Sequence, residues 1–361
     1  MKFSLIFVLF LAESLRSSDG HTEGQPKRDV QCNFLQDDRG YVCEITNLKL
    51  RSQDDSLRFA GKQIGIKTNE DVTYLHIHSS ETHVVPSESI MFYFTNLVNL
   101  DMKKNSIKKL DEIVNCMPLE FITFSDNQIT SLEPGTFIEC VALEVLDLSK
   151  NQISKIHDNA FSSLKELREL NLSDNQITKL VRKVIKPMKN LRKLSLMNNN
   201  IKELPHDTFN DMFHLAELDL SQNPLARLDF RFFDYTIHIE TLRLTGTNIM
   251  KFHPFTFKNL RRLKFLDISE NTLKHIDDDL LSTNAEIEEL RMDLIGMKSI
   301  GRKFFDKLDK LTVIHVNGNK CIDGTFRGSL VDIRPNFLEC MAKGDEVNDR
   351  SGKGTHSGED L

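Results

Sequence analysis

Leu167-Arg-Glu-Leu170-Asn-Leu172-Ser-Asp-Asn175-Gln-Ile177 reads L-x-x-L-x-L-x-x-N-x-I, and the phrase recurs along the chain. Its asparagine position is taken in turn by Ser80, Asn105, Asn127, Asn151, Asn175, Asn199, Asn223, Thr247, Asn271, Ile295 and Asn319, stepping by 25, then 22, then 24 residues. A fixed period of this length marks a repeat architecture. In Leu170-Asn171-Leu172 the alternation is that of a strand, so both leucines face one way and Asn171 the other. One repeat is too short to bury its apolar face alone. It must stack its strand beside the next in a parallel sheet at roughly 4.8 Å spacing, and ten such steps make an arc of about 50 Å. The asparagine comes where the chain leaves the strand, and its amide can satisfy backbone groups that have lost ladder partners.

Further columns fill the interior. Phe137, Phe161, Ile185, Phe209, Phe233, Phe257, Leu281 and Phe305 each follow the asparagine position by ten residues. At this spacing the phenylalanines read as a core spine rather than a ligand box. The segments carrying them, such as Asp158 to Leu164, are expected as short helical turns, which makes the chain an α/β solenoid. Cys116 and Cys140 precede Asn127 and Asn151 by eleven residues, in a column held elsewhere by Leu164, Met188, Met212, Leu260 and Leu308. They read as two buried thiols acting as small hydrophobes; a disulfide between adjacent turns is the alternative. Thr247 and Ile295 interrupt the asparagine ladder, which predicts local irregularity there, absorbed by neighbouring contacts or used as a bend or a special binding loop. The aromatic run Met91-Phe-Tyr-Phe94 is expected to pack against the N-terminal end.

The repeat resembles that of extracellular leucine-rich-repeat (LRR) proteins over roughly residues 70–340. The resemblance implies a leucine-rich-repeat horseshoe with a parallel concave sheet, about eleven repeats over 70–319, and disulfide-bonded caps at both ends. Cys32 and Cys43 flank Asn33 to Val42, with Asp37-Asp38-Arg39-Gly40 as a hairpin signal. They are read as an N-terminal cap over 31–69, shielding the first repeat's open edge. Cys321 and Cys340, around Phe326, Leu330, Val331, Ile333 and Phe337, mark the opposite cap over 320–340. Two cysteines there, where vertebrate caps commonly have four, resemble insect secreted LRR proteins such as the mosquito immune LRR proteins, without their coiled coil. Six cysteines in three neighbouring pairs suit an oxidising compartment.

The remaining features bound the function. Met1-Lys2 and the uncharged run Phe3 to Ala12 predict a signal peptide over 1–20, cleaved between about residues 14 and 20, then a disordered stretch over 21–30 and a disordered polar tail over 341–361. No membrane span or lipid-anchor tail is expected. A net charge of −6 offers no basic stripe for nucleic acid. No nucleophile elbow, P-loop or zinc-protease motif occurs, so neither an enzyme nor a cofactor is expected. His76-Ile-His78, with Glu81 and His83, comes nearest to a metal site; it reads as exposed histidines on a strand, and no metal is expected.

What remains is the concave face. Between the strand leucines it carries His76, Asp101, Thr123, Asp147, Asn171, Ser195, Asp219, Arg243, Asp267, Arg291 and His315. Two positions earlier stand Tyr74, Phe121, Val145, Phe265 and Val313 among Glu169, Lys193, Glu217 and Glu289. Apolar residues outward on a rigid sheet are candidates for a protein contact, so Tyr74, Phe121, Val145, Asp147, Phe265 and Val313 form the candidate binding face. Asn171-Leu-Ser173 is the only Asn-x-Ser/Thr sequon; a glycan there would obstruct the central repeats and leave a ligand the flanks. The sequence therefore predicts a secreted protein that recognises other proteins, in innate immunity or else in matrix, adhesion or soluble receptor-like binding. A homodimer or heterodimer remains open.

Overall fold

Each repeat contributes one strand to the concave side, five residues long in the first repeat and three in the others, and every pair of neighbours is parallel and in register: Val145 lies opposite Glu169, Glu169 opposite Lys193, Lys193 opposite Glu217. The computed structural model describes residues 28–51 and 57–341. The expected signal peptide, residues 21–27 and the tail beyond Met341 lie outside the described residues. Eleven repeat strands run from Tyr74–His78 to Val313–His315 within a sheet of 14 strands. The chain is a leucine-rich-repeat β-solenoid of about ten turns. The long and short steps of the first repeats do not disturb it: Tyr74 pairs with Asn99 and Asn99 with Phe121. Extra or missing residues are absorbed on the convex side, where the helix Ser87–Tyr93 lies.

That convex side differs from the expected helical turns. It consists mostly of single turns closed by i to i+3 bonds, such as Ala160 N–H to His157 O (2.9 Å) and Leu164 N–H to Phe161 O (3.1 Å). Arg182–Ile185 is a short exception, and two short parallel bridges, Ser131–Leu132 with Lys155–Ile156 and His275–Ile276 with Ser299–Ile300, lead into the turns of their repeats. Every member of the phenylalanine column is buried, and rings in adjacent turns touch, as Phe137 and Phe161 do at 6.2 Å between centroids.

The asparagines work as a ladder. Asn175 Nδ2 donates to Leu148 O of the previous turn (3.0 Å) and to Leu172 O and Ser173 O of its own, while Oδ1 accepts Ile153 N–H (2.9 Å). Where asparagines follow one another in successive turns, the strand-end carbonyl is thus served twice: Leu172 O also receives Asn199 Nδ2. This redundancy is why the irregular rungs are tolerated. Ile295 offers no amide, yet Ile268 O is still served by Asn271 and Met292 O by Asn319. At Thr247 the hydroxyl donates to Leu244 O and Asn271 Oδ1. Having no amide oxygen to reach, Leu225 N–H turns to Asn223 O, and Ala226 becomes left-handed (φ 59°). The irregularity is local, and the sheet register passes through both rungs unchanged.

A graded prediction follows. Asn223 donates to Leu196 O, Leu220 O and Ser221 O, but Thr247 does not duplicate the bond to Leu220 O. Asn223→Ala should cost about 3 kcal/mol, roughly 1 kcal/mol more than Asn175→Ala, whose carbonyls keep a second donor. Urea unfolding of the two variants compares them; equal losses would contradict the redundancy.

Both sheet edges are closed by antiparallel strands. Asn33–Asp37 pairs with Gly40–Thr46, whose other edge pairs with Tyr74–His78. At the far end Thr325–Arg327 pairs back onto Val313–His315. Cys32 is bonded to Cys43 and Cys321 to Cys340, with Cα separations of 5.4 and 5.2 Å. Cys116 and Cys140 are bonded as well, Cα atoms 4.8 Å apart. The reading as free thiols gives way because one column position in adjacent turns lies within disulfide reach. The disorder expected to residue 30 is also corrected: Arg28–Gln31 is a strand beside Leu57–Ala60, and Val30 meets Phe59 in the core. Met341, placed in the tail by sequence, is buried against the C-terminal cap. Phe94 and Tyr93 do pack on the N-terminal cap, both against Phe59, at 4.9 and 5.5 Å.

Candidate functional site

Strand alternation turns every second side chain away from the core, so the concave face carries rows that run across the strands. One row reads Tyr74, Asn99, Phe121, Val145, Glu169, Lys193, Glu217, Thr241, Phe265, Glu289, Val313. The five apolar members are half-buried rather than fully exposed, because neighbours in the row shield their flanks at strand spacing. Phe121 and Val145 are adjacent and form one apolar patch.

Charge separates the flanks. Lys193 Nζ lies between Glu217 (3.2 Å) and Glu169 (3.9 Å), and the Glu217 carboxylate holds the ammonium above its ordinary pKa. Beyond Thr241 the ring of Phe265 sits between two guanidiniums, Arg243 at 4.9 Å and Arg291 at 5.2 Å from its centroid. Arg291 is bound to Glu289 through Nε (2.7 Å) and Nη2 (2.6 Å). Val313 stands beyond Glu289. The arrangement is a cation–π cluster, which the sequence reading, treating each position singly, did not anticipate.

The second row has a structural duty as well. Asp147 Oδ1 accepts Ser149 N–H (2.9 Å), and Asp219 and Asp267 do the same for Ser221 and Ser269. These carboxylates close the turn after each strand. The signal was present in the recurring Asp-x-Ser spacing. Asn171 follows the pattern, its Oδ1 accepting Ser173 N–H (3.1 Å) and Ser173 Oγ–H (2.8 Å); its Nδ2, the atom a glycan would take, is not used in these bonds. Asn171 lies in a shallow trough of about 310 Å³, lined by Phe121, Val145, Asp147, Glu169, Lys193 and Arg243 among others.

The histidine group is divided and rebuilt. Glu81 lies on Glu81–Thr82, beside Lys49–Leu50, and pairs with Lys49 (3.1 Å). His76 and His78 remain on the concave face, where Glu44 of the cap joins them. The His76 side chain is only 14% exposed, which corrects its reading as an ordinary solvent-facing histidine. Burial, opposed by Asp101 and Glu44, holds the imidazole below its ordinary pKa. Burial and then Asp101, which accepts the Tyr74 hydroxyl at 3.2 Å, push that phenol up to about 12.

Comparison with known proteins agrees with this architecture. The leucine rich repeat family model matches residues 118–177, 189–234 and 237–293. No curated protein matches the chain. Among solved structures it is similar to a chain of the TLR13–ssRNA13 complex, with 22% identity over 77% of this chain and 47% of that one, TM-score 0.61. It is similar also to a chain of the Drosophila Toll–Spatzle complex, with 18% identity over 81% of this chain and 44% of that one, TM-score 0.61. A chain of the octameric complex of Latrophilin 3, Unc5D and FLRT2 gives 17% identity over 73% of this chain and 79% of that one, TM-score 0.57. The chain spans less than half the length of the first two. At these identities the likeness concerns the fold.

Proposed function

We propose that this leucine-rich-repeat solenoid is a secreted protein that recognises other proteins through its concave face, in innate immunity. The observation that carries the reading is the row in which an apolar patch, Phe121 and Val145, and an aromatic–guanidinium cluster, Arg243, Phe265 and Arg291, flank an ion-paired centre. Aromatic and arginine side chains on a preorganised surface are the usual anchors of protein interfaces. Three disulfides favour an oxidising, extracellular setting, and no helix among the described residues is long and apolar enough to cross a membrane. One solved neighbour is a complex with single-stranded RNA; here the net charge of −6 and the acidic centre argue for a protein partner instead. The two-cysteine C-terminal cap and its resemblance to insect secreted LRR proteins support the immune assignment over a matrix, adhesion or soluble receptor-like role. A shallow, single-layer face without a closed pocket argues against catalysis.

Affinity capture with the purified chain from haemolymph or culture medium separates these roles by what is retained: immune factors or matrix proteins. With a partner in hand, Phe121→Asp and Phe265→Asp should each weaken binding by about 30-fold, roughly 2 kcal/mol. If Asn171 carries a glycan, by mass spectrometry, charge reversals at Asp147, Glu169 and Lys193 should do much less. Equal losses at centre and flanks would remove the flank assignment.

A further inference from the structure

We propose that Glu44, His76 and His78 form a binding site for a divalent transition-metal ion of the zinc type, at the seam between the N-terminal cap and the first repeat. Strand pairing creates it. Glu44, on Gly40–Thr46, lies opposite His76 on Tyr74–His78, and His78 follows two residues later, so all three side chains leave one face of the sheet. Glu44 Oε1 is 3.4 Å from His76 Nδ1 and 3.6 Å from His78 Nε2, and one ligand atom from each residue lies within 4.8 Å of the others. Zinc binds nitrogen and oxygen at about 2.0–2.2 Å with tetrahedral angles, which places neighbouring ligand atoms about 3.4 Å apart. Both Glu44 distances are close to that value already.

The ring nitrogens on the far side are supported. His78 Nδ1 lies 3.2 Å from Ser79 Oγ. His76 Nε2 faces Asp101 Oδ2 at 3.6 Å, and Asp101, 2% exposed, is itself fixed by Tyr74 and by Lys103 Nζ (2.9 Å). A carboxylate behind an imidazole is the arrangement that orients metal-binding histidines. Neither nitrogen of His76, both buried, makes a hydrogen bond among the described residues. Buried polar atoms are seldom left so, and a metal on Nδ1, with Nε2–H closing on Asp101, accounts for both. Two imidazoles with one carboxylate suit zinc better than calcium or magnesium, which prefer oxygen ligands throughout. Three protein ligands leave a fourth position open toward the concave face, for water or for a side chain of a partner.

Calorimetric titration of the full chain with Zn²⁺ at neutral pH tests the site. A single micromolar or tighter site is expected, weakened about tenfold or more by Glu44→Gln or His78→Ala and about 10–100-fold by Asp101→Asn, with His83→Ala unchanged. Co²⁺ in place of Zn²⁺ should give tetrahedral absorption bands that the first two substitutions abolish. The His78 ring is 29% exposed, so His78→Ala leaves the core intact and carries the test should Glu44→Gln disturb folding. No zinc binding, or binding undiminished in His78→Ala, overturns the proposal.

Discussion

Phe257→Ala is expected to destabilise the chain by about 3–5 kcal/mol, the cost of emptying a fully buried aromatic site. Phe257 has no exposed surface and packs between Phe233 (6.0 Å) and Phe252 (5.0 Å), while its backbone carbonyl accepts Asn284 Nδ2 (3.0 Å). Asn284 and Thr236 occupy the otherwise apolar column of Cys116 and Cys140 on either side of this turn, and both are buried. The Asn284 amide, committed to Phe257 O and to Leu260 O (2.8 Å), needs its present geometry, which limits how far the cavity can close. Repeats in a solenoid stabilise only their neighbours. Hydrogen exchange should accordingly rise first in the strands Thr241–Arg243 and Phe265–Asp267, leaving Tyr74–His78 protected. A uniform rise along the chain would mean that the phenylalanine column unfolds as one unit.

Cys321→Ser is expected to cost about 2–5 kcal/mol and to cause aggregation. The bond closes a loop of 19 residues around the C-terminal cap, in which Phe337 is fully buried against Phe305 (4.9 Å) and Phe326 (5.9 Å). Loss of the cap uncovers the edge of Val313–His315, a parallel strand with free backbone groups. Urea unfolding measures the first effect and size-exclusion chromatography of the variant the second. A variant that remains monomeric, with an unchanged midpoint, would show that packing alone holds the cap.

The repeat was legible because its physics repeats. Eleven copies of one leucine spacing define the strands, and the asparagine and phenylalanine columns define the two places where the chain must turn. The cap cysteines were legible through family resemblance. What escaped were contacts between positions that carry no period. Glu44 belongs to the cap, outside the 24-residue frame, and only the pairing of its strand brings it to His76 and His78. The Cys116–Cys140 bond could not be separated from two buried thiols, since the column is apolar under either reading. Arg28–Gln31 is too polar to signal a strand by itself, and it is fixed by Phe59 opposite Val30. On the concave face the sequence identified Phe265 but not its two guanidinium neighbours, which reach it from adjacent strands.

The even strand spacing turns the concave face into a ruler. Phe121 and Phe265 stand six strand steps apart, about 29 Å along the arc at roughly 4.8 Å a step. That is about the width of a compact domain of 100 residues, whose radius of gyration is near 13 Å, or the length of about nine extended residues. Anything much smaller can engage one flank at a time. Size alone thus sorts partners into those that register both anchors together and those that must choose one.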